Sequence, residues 1–123
     1  MRLQTLKSLL AALGSGLLLA ATTAAQAADP GVSDSTITLG MSAPLTGPNG
    51  AYGKEMKEGA LAYFAQLNAA GGIGGKKIEL LALDDGYETE KTVANTRKLI
   101  NESKVFALTA YYGSSATTEA MKV

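Results

Sequence analysis

Hydroxyl side chains are concentrated in residues 113–118, whose sequence is GSSATT. The segment lies between a predicted strand and a predicted helix, where hydroxyls and free backbone N–H groups converge. It could be an ordinary helix cap, a binding site for a small anion, or the site of a nucleophile at Ser114 or Ser115. Because the sequence has no His and offers no evident base, a small secreted hydrolase is disfavoured and binding is the favoured function.

Three other features invite a chemical role. Residues 71–76 (GGIGGK) look like a phosphate loop, but they follow a helix and precede a strand, the reverse of what such a loop needs, so a turn is predicted. Asp84 and Asp85 end a strand and could bind a divalent metal, although such pairs more often cap the following turn or are solvated. Tyr52 precedes a predicted helix and is either a surface aromatic or a flat wall of a ligand crevice.

The composition excludes several functional classes. The 123 residues contain no His, Cys or Trp, which removes the usual zinc ligands, thiol nucleophiles and the Ser–His–Asp triad. Eleven basic and 11 acidic residues balance to a formal charge of zero, which argues against nucleic acid as a partner. We therefore predict a protein without metal, cofactor or catalytic residues.

Residues 1–27 have the pattern of a secretory signal peptide. Arg2 and Lys7 precede an apolar run over residues 9–21, and Ala25 and Ala27 provide a small-residue cleavage site. A membrane anchor would need about 18–20 unbroken apolar residues, and this run is shorter and interrupted by glycines. Cleavage after Ala27 removes two of the 11 basic residues and no acidic one, which leaves a net charge of −2.

Export and cleavage can be tested directly. We expect N-terminal sequencing of the protein recovered from the periplasm to begin at Ala28, because the cut should follow the small residue Ala27. An intact Met1 on a cytoplasmic product would contradict this prediction.

Residues 28–123 are predicted to belong to one domain, in which strands and helices alternate. The periodicity predicts strands over 34–41, 78–83 and 105–110, helices over 54–70 and 89–103, a further helix from 119, and long loops over 42–53 and 111–118. This alternation indicates an α/β fold with a parallel sheet and helices on both faces. In the flavodoxin-like strand order 2-1-3, the two long loops line a crevice suited to an anionic or zwitterionic ligand.

Five motifs in order resemble the leucine/isoleucine/valine-binding proteins, the periplasmic substrate-binding proteins of branched-chain amino-acid ABC transporters. They are residues 41–47 (MSAPLTG), 51–53 (AYG), 67–75 (LNAAGGIGG), 84–85 (DD) and 113–115 (GSS). The resemblance implies a type I periplasmic-binding fold, a Rossmann-like arrangement of two lobes that close on a ligand. Residues 28–123 would be an incomplete, N-terminal part of the first lobe.

The resemblance also implies a site and partners. Gly113, Ser114 and Ser115 would bind the ligand α-carboxylate through N–H and hydroxyl groups, and Tyr52 would contact the ligand side chain. The protein would be periplasmic, would perform no reaction, and would deliver an amino acid to an ABC transporter permease in the inner membrane. The alternative is a receptor of the same fold for amides, urea or aromatic acids, or a signalling sensor domain.

Overall fold

The computed structural model describes residues 29–123, so the predicted signal peptide and its cleavage site lie outside the described residues. The elements are β1 (Thr36–Ala43), α1 (Gly50–Ala69), β2 (Lys77–Asp84), α2 (Thr89–Asn101), β3 (Ala107–Leu108) and α3 (Ser114–Ala120). This order confirms the predicted alternation of strands and helices. Between residues 29 and 123, no helix is long and apolar enough to cross a lipid bilayer.

The three strands form one sheet in the order β2-β1-β3, with β1 parallel to both neighbours. The pairing of β1 with β2 runs along the whole of both strands, whereas β3 pairs with β1 over only two residues. The predicted strand order is therefore confirmed. The carboxyl ends of all three strands lie at one edge of the sheet, and that edge carries the loops predicted to form the crevice.

Both faces of β1 are covered. A Cβ atom at Gly40 would lie 3.1 Å from Leu99 of α2, so this face of the strand packs against α2. Successive residues of a strand point to opposite faces, and Met41 and Ala43 on the other face are also fully buried. The sheet with helices on both faces is confirmed, and α1 packs on β2 while α2 packs on α3.

At the start of β2, one side chain of α1 pairs with the outer edge of the strand. The Asn68 amide accepts a hydrogen bond from the Ile78 N–H at 2.7 Å and donates one to the Ile78 carbonyl at 2.9 Å. The side chain thus satisfies the backbone as a further strand would. This contact attaches the end of α1 to the sheet.

The glycine-rich segment after α1 is a turn, as predicted. Ile73 and Lys76 exchange backbone hydrogen bonds at 2.9 and 3.0 Å. Gly74 and Gly75 between them both have positive φ angles, which is the requirement of a two-residue type I′ hairpin turn. The segment returns the chain into β2 and is not a phosphate loop.

The strand boundaries differ from the prediction, by one residue at each end of β2 and by two at the ends of β1 and β3. β1 begins at Thr36 rather than 34, because the Ser33 hydroxyl accepts the N–H groups of Ser35 and Thr36 and forms a turn there. β3 is confined to Ala107–Leu108 instead of 105–110. The Val105 N–H bonds to Leu99 at the end of α2, and a positive φ angle at Ala110 ends the extended backbone.

Two helices begin earlier than predicted, and both changes concern the site. α1 begins at Gly50 rather than 54, so Tyr52 lies in its first turn and not in a loop. α3 begins at Ser114 rather than 119, so Ser114 and Ser115 are helical. Glycine and hydroxyl residues have low intrinsic helix propensity, and tertiary contacts outweigh that preference here.

Candidate functional site

The predicted site residues lie at the carboxyl edge of the sheet, at the starts of α1 and α3. Tyr52 is half exposed, and its ring stacks on that of Tyr112 with centroids 5.1 Å apart and planes 9° apart. Tyr112 immediately precedes Gly113. The structure therefore joins the start of α1 to the start of α3.

A third tyrosine completes the aromatic cluster. Tyr87, in the turn after β2, packs against Tyr112 with ring centroids 5.6 Å apart and a 47° tilt. Partial desolvation, followed by charge repulsion from Tyr52 and Tyr87, raises the pKa of the Tyr112 phenol, so the phenol is neutral at physiological pH. The cluster of Tyr52, Tyr87 and Tyr112 thus offers an aromatic surface at the edge of the sheet.

Gly113 and the first residues of α3 provide hydrogen-bond donors beside this cluster. Gly113 has a φ of 101°, and a Cβ atom there would lie 3.0 Å from the Tyr87 ring. The first N–H used inside the helix is that of Thr117, which donates to the Gly113 carbonyl at 2.9 Å. The N–H groups of Ser114 and Ser115 lie in the first turn of α3 and therefore have no helical partner. No side chain caps this end of the helix either.

Asp85 is fully buried behind the tyrosine cluster. Its carboxylate accepts hydrogen bonds from the Ser42 hydroxyl at 2.9 Å, the Thr92 hydroxyl at 3.0 Å and the Tyr87 N–H at 2.9 Å. Ser42 in turn accepts a hydrogen bond from Asn95 at 3.1 Å. A buried carboxylate without a basic partner needs such donors, and these donors connect β1, α2 and the turn that carries Tyr87.

Asp84 fixes the loop that leads from β1 to Tyr52. Burial would raise the pKa of its carboxyl, but hydrogen bonds from the Thr46 hydroxyl and from the N–H groups of Leu45, Gly86 and Thr46 lower the pKa to about 2. The carboxylate is therefore ionised and saturated with protein donors at neutral pH. Of the two commoner roles predicted for this acidic pair, capping of the following turn is the one observed, since Gly86 and Tyr87 donate their N–H groups to the two carboxylates.

Within residues 29–123, no group of three or more His, Cys, Asp or Glu side chains is placed to bind a metal ion. Both carboxylates of the Asp84–Asp85 pair are instead occupied by hydroxyl and N–H donors. This end of the sheet is built to hold loops and rings in place.

Sequence reasoning predicted Tyr52, Gly113, Ser114 and Ser115 but missed the other two rings. The structure connects Tyr52 to Gly113 through Tyr112 and Tyr87. The position of Tyr112 next to Gly113 was a usable signal. The backbone at Tyr87 has a φ of 69°, which is uncommon for an aromatic residue and which no sequence pattern indicated.

Comparison with known proteins finds relatives of this chain. A family model described as periplasmic binding protein matches residues 36–123. An amino acid binding protein of Pseudomonas aeruginosa is 36% identical over 87 residues, which make up 71% of this chain and 23% of that protein. The chain spans about a quarter of the length of the relatives it matches.

Solved structures share the fold. The branched-chain amino acid transporter substrate-binding protein LivJ of Streptococcus pneumoniae, in complex with isoleucine, is 37% identical with a TM-score of 0.67, covering 71% of this chain and 25% of its own. A solute binding protein of an ABC transporter from Rhodopseudomonas palustris, in complex with 3,4-dihydroxybenzoic acid, is 26% identical with a TM-score of 0.63, covering 69% and 23%. These similarities confirm the predicted type I periplasmic-binding fold for this part of the chain. With a family match that spans most of its residues and a sheet built in the same way, the chain belongs to the periplasmic binding protein family.

Proposed function

We propose that the protein is the exported substrate-binding component of an ABC transporter and binds branched-chain or related amino acids for delivery to a permease in the inner membrane. The proposal rests on the observation that hydrogen-bond donors and aromatic rings lie next to each other at the carboxyl edge of the sheet. Free N–H groups at Ser114 and Ser115 suit a carboxylate, and the adjoining tyrosine rings suit an apolar side chain.

The ligand carboxylate is proposed to lie at the start of α3, on the donors of Gly113, Ser114 and Ser115. A charge-assisted hydrogen bond from an N–H or hydroxyl group contributes about 1.5–3 kcal/mol, so a few such donors account for a useful share of the affinity. The exposed ring of Tyr52 is proposed to contact the ligand side chain. The protein itself performs no reaction, since binding and lobe closure are sufficient for delivery to a permease.

The proposed location is the periplasm, after removal of residues 1–27. The signal pattern of that segment supports this location, as does membership of a family of periplasmic binding proteins.

A receptor for aromatic acids is the second candidate function. It is favoured by the structural relative that holds 3,4-dihydroxybenzoic acid, and by the three tyrosine rings, whose faces would stack on a planar ligand as well as on an aliphatic one. The carboxylate of such a ligand would use the same donors at the start of α3.

Calorimetric titration of the full-length protein decides between these ligand classes. We expect saturable binding of leucine, isoleucine and valine, with alanine bound at least about tenfold more weakly because it leaves the tyrosine surface uncovered. Binding of 3,4-dihydroxybenzoate with no response to the aliphatic amino acids would establish the second function instead. If neither class binds, both functions are wrong.

A further inference from the structure

Tyr52 is the proposed contact to the ligand side chain, and its ring is half exposed on the first turn of α1. An exposed aromatic ring that samples several rotamers must be immobilised when a ligand binds, and this ordering reduces the affinity. A ring already held in its binding position avoids that loss. The contacts of Tyr52 therefore bear directly on how well it discriminates between ligands.

Tyr112 holds the Tyr52 ring from one side. The two rings are nearly parallel, and their 5.1 Å centroid separation lies in the range that aromatic pairs prefer. The other neighbour of Tyr112 is Tyr87, at 5.6 Å and with a tilted geometry. Tyr112 is thus the middle ring of three and contacts both of the others. The position of Tyr87 therefore constrains Tyr112, which in turn constrains Tyr52.

Tyr87 is held from behind by backbone and buried polar contacts. Its N–H donates to one oxygen of Asp85 at 2.9 Å, while the other oxygen accepts the Ser42 and Thr92 hydroxyls. Asp85 is fully buried, so these bonds are shielded from water. On its other side the Tyr87 ring lies against Gly113, where an added Cβ would come within 3.0 Å.

We propose that Tyr87 and Tyr112 are positioning residues that hold Tyr52 in its ligand-contacting orientation, and so set the preference of the protein for ligands with large side chains. The contacts that hold Tyr52 run from the buried Asp85 carboxylate through Tyr87 and Tyr112 to the exposed Tyr52 ring. This inference rests on the proposed function of the site and adds two specificity-determining residues to it.

The experiment compares Tyr112→Leu and Tyr87→Leu with Tyr112→Phe in the full-length protein. We expect both leucine variants to lower the preference for leucine over alanine by about threefold to tenfold, the range that loss of one aromatic pair would produce. Alanine affinity should change little, because the donors at Ser114 and Ser115 remain. Tyr112→Phe keeps the ring and should retain the preference within about twofold.

Tyr63→Leu is the matched control. Tyr63 lies on the same helix as Tyr52, is more exposed, and has Phe64 as its aromatic neighbour at 6.3 Å. Its replacement should leave the preference unchanged. Tyr112→Leu or Tyr87→Leu with wild-type preference, in a variant shown by urea unfolding to be folded, would overturn the proposal.

A second measurement does not depend on any ligand. Stacked phenol rings couple their electronic transitions, so the wild-type protein should show an exciton-split circular dichroism signal from the Tyr52–Tyr112 pair. We expect Tyr112→Leu to abolish this signal and Tyr87→Leu to weaken it, while Tyr63→Leu leaves it intact. If the wild type binds none of the amino acids, the proposed function is wrong. The circular dichroism signal still shows whether Tyr87 and Tyr112 hold the Tyr52 ring, because it requires no ligand. An unchanged signal in Tyr87→Leu would overturn the proposal.

Discussion

Replacing Gly53 by alanine is expected to lower the free energy of unfolding by about 3 kcal/mol, the upper end of the usual cost of overpacking. A Cβ atom at Gly53 would lie 2.0 Å from the carbonyl oxygen of Pro44 and 2.7 Å from its carbonyl carbon. These are backbone atoms directly after β1, so the clash cannot be relieved by rotating a side chain. The first turn of α1 must move away from the sheet, and Tyr52 must move with it.

Gly59 provides the matched control for Gly53 on the same helix. A Cβ atom there would meet nothing within 4 Å, so Gly59→Ala should raise the free energy of unfolding by about 0.5–1 kcal/mol through its helix propensity alone. Urea unfolding of the two variants measures both effects. Equal stabilities for Gly53→Ala and the wild type would contradict the close approach of α1 to Pro44.

Replacing Ser114 and Ser115 together by alanine is expected to weaken leucine binding by about tenfold to a hundredfold. One hydroxyl bond to a carboxylate contributes about 1.5–3 kcal/mol, and about 1.4 kcal/mol corresponds to a factor of ten, so this range is the net loss of one such bond. The loss should not be greater, because the backbone N–H groups at the start of α3 survive the change. Since the carboxylate is common to all amino acids, the loss should be similar for leucine, isoleucine, valine and alanine.

Two further variants distinguish the loss of the carboxylate contact from other effects on binding. Thr118→Ala removes an exposed hydroxyl from the next turn of α3 and should leave binding unchanged. Tyr52→Ala should weaken leucine binding more than alanine binding, because it removes the proposed contact to the side chain. Calorimetric titration with the four amino acids tests all three variants. Unchanged leucine affinity in the double serine variant would contradict the carboxylate assignment, and a uniform loss in Tyr52→Ala would contradict the side-chain contact.

Local patterns were sufficient for the order of elements and the parallel sheet. Alternating apolar residues indicated β1, the glycine pairs indicated the end of α1 and the turn before β2, and the alternation of strands and helices indicated a parallel sheet, for which the flavodoxin-like order 2-1-3 was the expected one. These features depend on residues close together in the chain or on general rules of connection. Their positions were therefore predictable without any tertiary contact.

Local patterns failed where long-range contacts override propensity. α1 begins at Gly50 because the glycine at position 53 lets the helix approach the backbone of Pro44. From the sequence alone, this glycine-rich segment is predicted to be a loop. In α2 the apolar side chain of Ile100 is 40% exposed, whereas the polar side chain of Thr92 is fully buried through its bond to Asp85. Polarity predicts exposure only where no buried partner is available.

The sequence by itself determined the α/β class, the parallel sheet, and the residue types that a carboxylate and an apolar side chain require. Only the tertiary structure decided that Asp85 is buried and that the rings of Tyr52, Tyr87 and Tyr112 meet. The physical reason is that each of these rings follows a different strand. Their distances are set by the packing of the sheet and by the buried hydrogen bonds of Asp85, and neither leaves a periodic signal along the chain.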